Sequence, residues 1–386
     1  MHMVKRREYM TRLFRNRFGS GPELWARAPG RVDLMGSHTD YNLGYVLTLP
    51  ISRDTWIAAR ANGSRVVRLH TANVDEEDCF PLDRIQKNVS KKWSNYIRGV
   101  AAVLQSEGLR LDGFDAVIHS TVPLESGLSS SAALECATAV VFRELGGWGL
   151  DLQTMARLCQ SAENEFVGVR CGILDQYTSC LGQNDCALLL DCRDLSTCPV
   201  RIAPGIQAVI CDTRARRQVA GAEYELRRRQ CEEGAAWLGI GALRNITMAG
   251  FRARKNQLPP EVLKRCCFIV AENQRVLDLV PVLRSGDRVS IGRLFAQSFE
   301  GARDLFEICS PPMISMMNAM LEAPGVLGAR QAGAGFGGCL VALVESERTE
   351  EFRVAVSTNF SEATGIQPEV YPVSAAAGAG LVPEES

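Results

Sequence analysis

The turn Pro123–Ala133 places Gly127 just before three consecutive serines at positions 129–131, and an apolar run then continues to Gly146 and Gly147. This pattern predicts a strand, a turn of small residues and a helix whose first turn carries free N–H groups and hydroxyls. The first N–H groups of a helix lack intrahelical partners and the helix dipole is positive there, so phosphate is the natural ligand of such a terminus. A helix that is merely capped by serine is the alternative.

A second group of chemically useful side chains lies in the glycine-punctuated segment Arg27–Asn42, which holds Arg31, Asp33, His38 and Asp40. A guanidinium, an imidazole and two carboxylates suit a ligand with many hydroxyls, because each buried hydroxyl left unpaired costs about 1–3 kcal/mol. Taken alone, the histidine and the second aspartate fit a metal pair or a structural turn equally well. The chain has only four histidines, which disfavours a metal site built from several of them.

The segment Gly333–Gly338 has the spacing G-x-G-x-x-G, but it precedes the apolar, strand-like run Cys339–Val344. A dinucleotide-binding fingerprint needs a strand before the glycines and a helix after them, so this context disfavours a nicotinamide enzyme. A glycine turn that lets the backbone approach a ligand or the other lobe is the better interpretation. No lysine follows a glycine anywhere in the chain, which excludes a P-loop.

Composition limits the kind of protein that can carry these groups. The chain has 386 residues, 46% of them hydrophobic, and at about 100–200 residues per domain this length predicts two lobes. Lys and Arg number 43 against 44 Asp and Glu, which gives no field for capturing nucleic acid or an acidic membrane. The 14 cysteines form no Cys-x-x-Cys pair, which disfavours zinc or iron–sulfur sites. With no apolar run of about 18 residues and no signal core, we expect a cytoplasmic protein.

The elements that must position these groups follow from periodicity. Tyr9, Leu13 and Phe14 share one face of a basic amphipathic helix, and Leu24–Ala28 is strand-like. Strand and helix patterns then alternate to about residue 192, which predicts a mixed α/β lobe spanning residues 1–200. Residues 201–386 show longer helical patterns and a closing pair of strands. We expect the stretch after Ser374 to be loosely ordered.

One acidic side chain stands out within these helical patterns. An apolar stripe at helical spacing runs from Leu152 to Phe166, and Glu163 borders it. Its carboxylate is therefore expected to point partly inward. An inward acid requires a cation, which magnesium bridging phosphates or a neighbouring arginine would supply.

These segments, in this order, resemble the signature of the GHMP small-molecule kinases, and the loop around His38 is similar to that of the galactokinase family. The similarity extends from about Trp25 to about Val344. It implies an α/β protein of two lobes, with mixed sheets, helices and an active site in the cleft between the lobes. Further motifs that carry it are Trp93–Tyr96, Cys171–Gln176, Tyr224 with Arg227–Glu233, and Ala334–Cys339.

The resemblance implies transfer of the γ-phosphate of ATP to the anomeric hydroxyl of a monosaccharide, with D-galactose expected first. Asp175 would accept the hydroxyl proton, and Arg31 would keep that carboxylate ionised and offset charge on the phosphoryl group. The partners implied are ATP, magnesium and a sugar, without nucleic acid or membrane, on a monomer or weak homodimer. The residues implied are Ser37, His38, Asp40, Gly172 and Tyr224 for the sugar, Trp93, Gly127, Ser129, Ser130 and Ser131 for ATP, and Ser131 with Glu163 for magnesium.

Two departures from the family pattern bear on specificity. Ser37 stands where galactokinases carry a glutamate that helps hold the sugar's 6-hydroxymethyl group, which leaves room at C6 and removes a negative charge. Arg214 and Arg217 could then pair with a uronate carboxylate, or could be solvated surface residues. Galacturonate or L-arabinose 1-kinase activity is therefore an alternative, and a catalytically silent sugar sensor is another. The carboxylate of Glu125 would lie beside the phosphates, where it weakens ATP binding unless it points to solvent or to the metal.

Overall fold

The computed structural model describes residues 3–124, 126–169, 171–215 and 220–383. Strands and helices are mixed along the chain, as the sequence predicts for an α/β protein. The strands are β1 (Leu24–Met35), β2 (Tyr45–Ala61), β3 (Val66–Thr71), β4 (Glu76–Pro81), β5 (Phe114–Ser120), β6 (Cys186–Asp191), β7 (Thr197–Arg201), β8 (Ile206–Asp212), β9 (Val326–Gln331), β10 (Cys339–Glu345), β11 (Glu369–Val373) and β12 (Gly380–Leu381). The helices are α1 (Met3–Phe18), α2 (Ser94–Ser106), α3 (Ser130–Gly146), α4 (Leu152–Ser161), α5 (Leu174–Leu181), α6 (Ala220–Trp237), α7 (Met248–Arg254), α8 (Pro260–Ser285), α9 (Arg288–Asp304), α10 (Pro311–Leu321) and α11 (Thr349–Thr364).

The first sheet has the strand order β12-β1-β2-β5-β3-β4, and β6 and β7 extend it from β2. The length of β2 explains this branching, because its first residues pair with β6 and residues from Thr55 onward pair with β5. The pairing of β3 with β5 is parallel, whereas the other pairings of this sheet among the described residues are antiparallel. Helices α2 to α5 bury their apolar faces with this sheet in one continuous core.

The second sheet has the order β11-β8-β10-β9 and is antiparallel. Its central strand β10 is apolar from Cys339 to Val344 because both faces are covered. Val341 and Leu343 enter a core shared with β1 and β2, whereas Leu340 and Ala342 enter a second core with α10 and α11. The prediction that the glycine segment precedes a strand is confirmed, and the dinucleotide-binding context is absent there.

A buried ion cluster connects the end of β1 to the helices after residue 260. The Glu272 carboxylate accepts hydrogen bonds from the Gly36 N–H at 3.0 Å and from the Ser298 hydroxyl at 2.8 Å. Arg330, which is fully buried, donates to Glu272 at 3.0 Å, and Arg275 donates at 2.8 Å. Burial alone would raise the pKa of Glu272, but the two guanidinium groups lower it, so the acid stays ionised inside the protein.

The N-terminal helix and the C-terminal strand are both the subject of sequence predictions. The amphipathic helix at the N-terminus is confirmed as α1, which buries Met10 and Phe14. The expectation of loose order after Ser374 is wrong for residues 375–383, because β12 adds an edge strand to β1 and the Val382 N–H donates to the Trp25 carbonyl at 2.7 Å; residues 384–386 lie outside the described residues. Small side chains in this stretch allow close backbone pairing, which composition alone does not distinguish from disorder. The division near residue 200 stays a prediction.

We predict that Arg330→Leu lowers the free energy of unfolding by about 3 kcal/mol, because it leaves a buried carboxylate with incomplete neutralisation. Urea denaturation followed by circular dichroism measures this. Arg353→Leu is the matched control, since Arg353 forms an exposed pair with Glu350 whose loss costs at most about 1 kcal/mol. Equal unfolding midpoints for the two variants would contradict the assigned role of the buried cluster.

Candidate active site

A cavity of about 900 Å³ opens where β1, the turn before α3, the start of α5 and the glycine turn before β10 meet. It is large enough for a small polar substrate together with part of a nucleotide. Most of the residues that the sequence singled out line it. These are Arg31, His38, Asp40, Gly127, Ser129, Ser130, Ser131, Glu163, Gly172, Asp175 and Tyr224.

The most tightly bonded group in the cavity is the carboxylate of Asp175, in the first turn of α5. Arg31 Nε donates to its Oδ1 at 2.7 Å and Arg31 Nη2 lies 2.5 Å from the same oxygen. Ser129 Oγ donates to Oδ2 at 2.6 Å. Burial opposes the charge on Arg31, but Asp175 and Asp33 outweigh it and raise the pKa of the guanidinium. The result is an ionised pair fixed by three chain segments.

The turn before α3 is held against β1 by close backbone contact. Arg31 Nη1 donates to the Gly127 carbonyl at 2.7 Å, and the Arg31 N–H donates to the Leu128 carbonyl at 3.1 Å. A Cβ added at Gly30 would lie 2.7 Å from that Leu128 oxygen, so the approach requires glycine. The first turn of α3, including Ser130 and Ser131, faces the cavity with the unpaired N–H groups of a helix start. This geometry suits a phosphate group.

Glu163 lies in the π-helical turn Ala162–Val167 that continues α4, and its carboxyl group is buried. Gln176 Nε2 donates to Glu163 Oε2 at 2.7 Å, and Cys171 Sγ lies 3.3 Å from the same oxygen. Burial and the nearby Asp175 charge raise the pKa of Glu163 to about 7, against hydrogen bonds that include one with Ser131. The structure therefore brings together the two residues that were predicted to hold magnesium.

Aromatic rings pack closely around His38 at one end of the cavity. His38 has a left-handed backbone with φ of 65°, and its ring lies 4.8 Å from Phe306 and 5.2 Å from Tyr224, measured between centroids. Its Nε2 bonds the Ala334 carbonyl at 2.9 Å and its Nδ1 bonds Tyr41 Oη at 2.8 Å. Burial lowers the pKa of His38 to about 4, so the ring is neutral, with Nε2 carrying the proton that the carbonyl accepts.

Asp40 is the polar group at this end, in the short helical turn Asp40–Asn42. Burial raises the pKa of Asp40 to about 6, although backbone hydrogen bonding at Tyr41 opposes this. Its carboxylate occupies the space that a Cβ at Gly172 would need, so that glycine is required by the contact. The two predicted residues are thus direct neighbours.

Three predicted residues do not line the cavity. Ser37 is buried, and its hydroxyl accepts a hydrogen bond from Arg330 Nη2 at 3.1 Å. Trp93 donates its indole N–H to Glu76 at 2.7 Å on the surface, so its contact with adenine stays a prediction. Arg214 is exposed and pairs with Glu369 at 2.7 Å, which agrees with the alternative of a solvated surface residue. Arg217 and Glu125 lie outside the described residues.

Apart from grouping Asp33 with the polar side chains of Arg27–Asn42, sequence reasoning assigned no specific role to several groups that the structure places here. Asp33 and Tyr96 line the cavity, and Cys171 lies between Glu163 and Asn164. Glu135 is fully buried beneath the site, and Gln176 bonds it at 3.0 Å. The alternation of β1 could have indicated Asp33, which is two residues from Arg31 and so faces the same side. No local pattern marks the glutamate, which lies within an apolar helix.

Family comparisons agree with this geometry in both halves of the chain. Residues 95–183 match the GHMP kinases N terminal domain, and residues 279–362 match the GHMP kinases C terminal family. The fold and the site therefore define a GHMP kinase. Residues 12–61 match the galactokinase galactose-binding signature, which covers β1 and the loop that follows it.

Comparison with individual proteins shows to which family of GHMP kinases the chain belongs. The chain is 42% identical to a galactokinase of Chloroflexus aggregans and 39% identical to one of Pasteurella multocida, over at least 95% of each chain. The structure matches a Lactococcus lactis galactokinase complexed with galactose at a TM-score of 0.92 and 31% identity, covering 96% of this chain and 98% of that one. The chain belongs to the galactokinase family. A mevalonate kinase of Methanococcus jannaschii shares the fold, at a TM-score of 0.66 and 17% identity.

Membrane insertion through a helix finds no support in the part of the chain that the structure describes, where no helix is both long and apolar enough to span a bilayer.

The raised pKa of Asp40 generates a stability prediction. The Asp40 carboxyl group binds its proton more tightly in the folded protein than in the unfolded chain, where its pKa is 3.8. Ionised Asp40 therefore destabilises the ligand-free fold above about pH 6. We expect Asp40→Asn to raise the free energy of unfolding by up to about 3 kcal/mol at neutral pH and above. The gain should shrink as the pH falls through 6 and vanish near 4.

Denaturant titrations at several pH values measure this difference. Asp278→Asn is the control, because Asp278 is exposed and its replacement should give no gain that depends on pH. A gain for Asp40→Asn that is the same at every pH would show that the buried charge is not its origin.

Proposed function

We propose that the protein transfers the γ-phosphate of ATP to the anomeric hydroxyl of D-galactose and releases α-D-galactose 1-phosphate. The observation that carries this is the Arg31–Asp175 pair, which lies between a helix start suited to phosphate and a rigid polar pocket suited to a sugar. The galactose-bound relative from Lactococcus lactis supports the choice of sugar, because it shares the fold over nearly the whole chain.

In the proposed reaction the C1 oxygen attacks the γ-phosphorus, and the bond from that phosphorus to the bridging oxygen breaks to release ADP. The proton of the C1 hydroxyl passes to Asp175, whose carboxylate keeps accepting capacity besides its bonds to Arg31 and Ser129. Arg31 then faces the developing charge of the phosphoryl group. Positioning and charge stabilisation supply most of the catalysis in such transfers.

Magnesium fits the oxygen groups of Glu163 and Ser131. Within the described ranges, no group of three or more His, Cys, Asp or Glu side chains is placed to hold a metal by itself. Glu163 and the adjacent Ser131 hydroxyl offer oxygen ligands in the cavity, which suits an ion that completes its shell with phosphate oxygens and water. When bound, magnesium would neutralise phosphate charge. Burial and the Asp175 charge raise the pKa of Glu163, and a bound cation would lower it again.

A substrate panel tests the proposed function against its alternatives. Purified protein with magnesium ATP is offered galactose, galacturonate and L-arabinose, and phosphorus NMR reports the position of the new phosphate. We expect galactose to be phosphorylated at C1 and to be the best substrate. Faster turnover of galacturonate or L-arabinose would overturn the choice of sugar, and binding without any turnover would favour a silent sugar sensor.

Asp175→Asn tests the general base. We expect kcat to fall by about 10²–10⁴, because the amide cannot accept the proton, while the variant keeps its fold. Steady-state kinetics with saturating ATP and galactose measure this. Asp278→Asn, on the exposed face of α8, serves as the control and should keep full activity. A kcat for Asp175→Asn within a few-fold of the unmodified protein would refute the assignment.

Glu163→Gln tests the metal site. We expect the affinity for magnesium in the presence of ATP to fall at least about tenfold, because a charged oxygen ligand is lost. Calorimetric titration of the protein–nucleotide mixture with magnesium measures binding apart from turnover. Exposed Glu322 provides the control variant Glu322→Gln, for which no change is expected. Unchanged affinity in Glu163→Gln would place the metal elsewhere.

A further inference from the structure

Asp33 is a buried cavity residue that the proposed reaction does not use. It lies on β1 two residues after Arg31, and both side chains line the cavity. The residue is 4% exposed. Its Oδ1 lies 3.4 Å from Arg31 Nε, but that N–H is already donated to Asp175 at 2.7 Å. Oδ1 of Asp33 consequently has no hydrogen-bond donor among the described residues.

The surroundings of this oxygen restrict what could satisfy it. The charged groups that act on Asp33 include Arg31, Asp175, Arg330 and Asp40, and the Gly333 backbone supplies a hydrogen bond to the carboxylate. Arg330 directs Nη2 to Ser37 and Glu272 instead. Burial raises the pKa of Asp33, with Asp175 adding to the effect and the two arginines opposing it. A buried carboxylate oxygen left without a donor is unfavourable, so a ligand that brings one gains affinity.

A neutral donor fits this position better than an ion does. A phosphate oxygen would meet a like charge, and a metal ion would meet the Arg31 guanidinium a few ångströms away. A hydroxyl can donate to Oδ1 without either penalty. Residues of β1 and the Gly333–Ala334 turn line the cavity beside this carboxylate.

We propose that Asp33 accepts a hydrogen bond from a ring-substituent hydroxyl of the sugar, other than the reacting C1 hydroxyl, and so determines sugar specificity. This inference rests on the proposed function, because it names a further contact in the same site. Asp33 is distinct from Asp175 in role, since it binds the substrate and takes no proton from C1.

The test combines a side-chain truncation with removal of single hydroxyls from the sugar. KM for galactose and for its 2-, 3-, 4- and 6-deoxy derivatives is measured for the unmodified protein, Asp33→Ala and Asp33→Asn, with sugar binding followed by calorimetry where turnover is slow. We expect Asp33→Ala to raise KM for galactose about 10- to 100-fold, as a lost hydrogen bond to a charged group implies. Asp33→Asn should give a smaller rise, because the amide oxygen still accepts.

For the deoxy sugar that lacks the hydroxyl bound by Asp33, the KM values of the unmodified protein and of Asp33→Ala should differ by no more than about twofold. Neither protein can form the contact with that sugar. Asp112→Ala, at an exposed aspartate outside the cavity, is the control and should leave every KM unchanged. Three results for Asp33→Ala would overturn the inference but not the proposed function. These are a rise in KM by the same factor for every sugar, an unchanged KM for galactose, and a fall in kcat alone. Failure of the unmodified protein to bind galactose would overturn the proposed function and this contact with it.

Discussion

The bond between Arg31 and Asp175 is the constraint on which the site depends. It joins β1 to the first turn of α5, and the same guanidinium holds the Gly127 carbonyl of the turn before α3. Because Ser129 bonds the other oxygen of the carboxylate, Asp175 is held close to a helix start whose geometry suits phosphate. A general base is effective only when its position is fixed, so the packing of three segments is part of the chemistry.

The buried charges of the ligand-free site lower the stability of the folded protein. Three carboxylates, Asp33, Asp40 and Asp175, act on the one guanidinium of Arg31. Burial raises the pKa of Asp33 and Asp40, and a second cluster around Glu163 and Glu135 carries raised pKa values as well. Such a site is stabilised by what binds to it, because hydroxyl donors and a cation satisfy groups that the protein leaves unpaired. Stability and activity therefore oppose each other at these positions.

Much of this site could be predicted from sequence, for identifiable physical reasons. The serine triplet, the strand nature of Cys339–Val344 and the loop around His38 are local patterns, and local patterns survive into structure. The pairing of Asp175 with Arg31 came from resemblance, because 144 positions separate them and no periodicity links them. The apolar spacing predicts one helix from Leu152 to Phe166, but α4 ends at Ser161 and a π-helical turn follows, because such a turn has no distinct apolar spacing.

Ser37 shows most clearly why side-chain direction escapes sequence reasoning. The sequence places it beside His38, in a loop whose side chains line the cavity, but its hydroxyl bonds Arg330, which in turn pairs with Glu272. A larger acid at this position would meet the Glu272 carboxylate in a buried site, whereas serine adds one neutral oxygen to the cluster. The cluster in turn holds the Gly36 N–H and thereby the start of the loop. Ser37 thus supports the backbone at the start of this loop, whereas Oδ1 of Asp33, in the cavity, has no donor among the described residues.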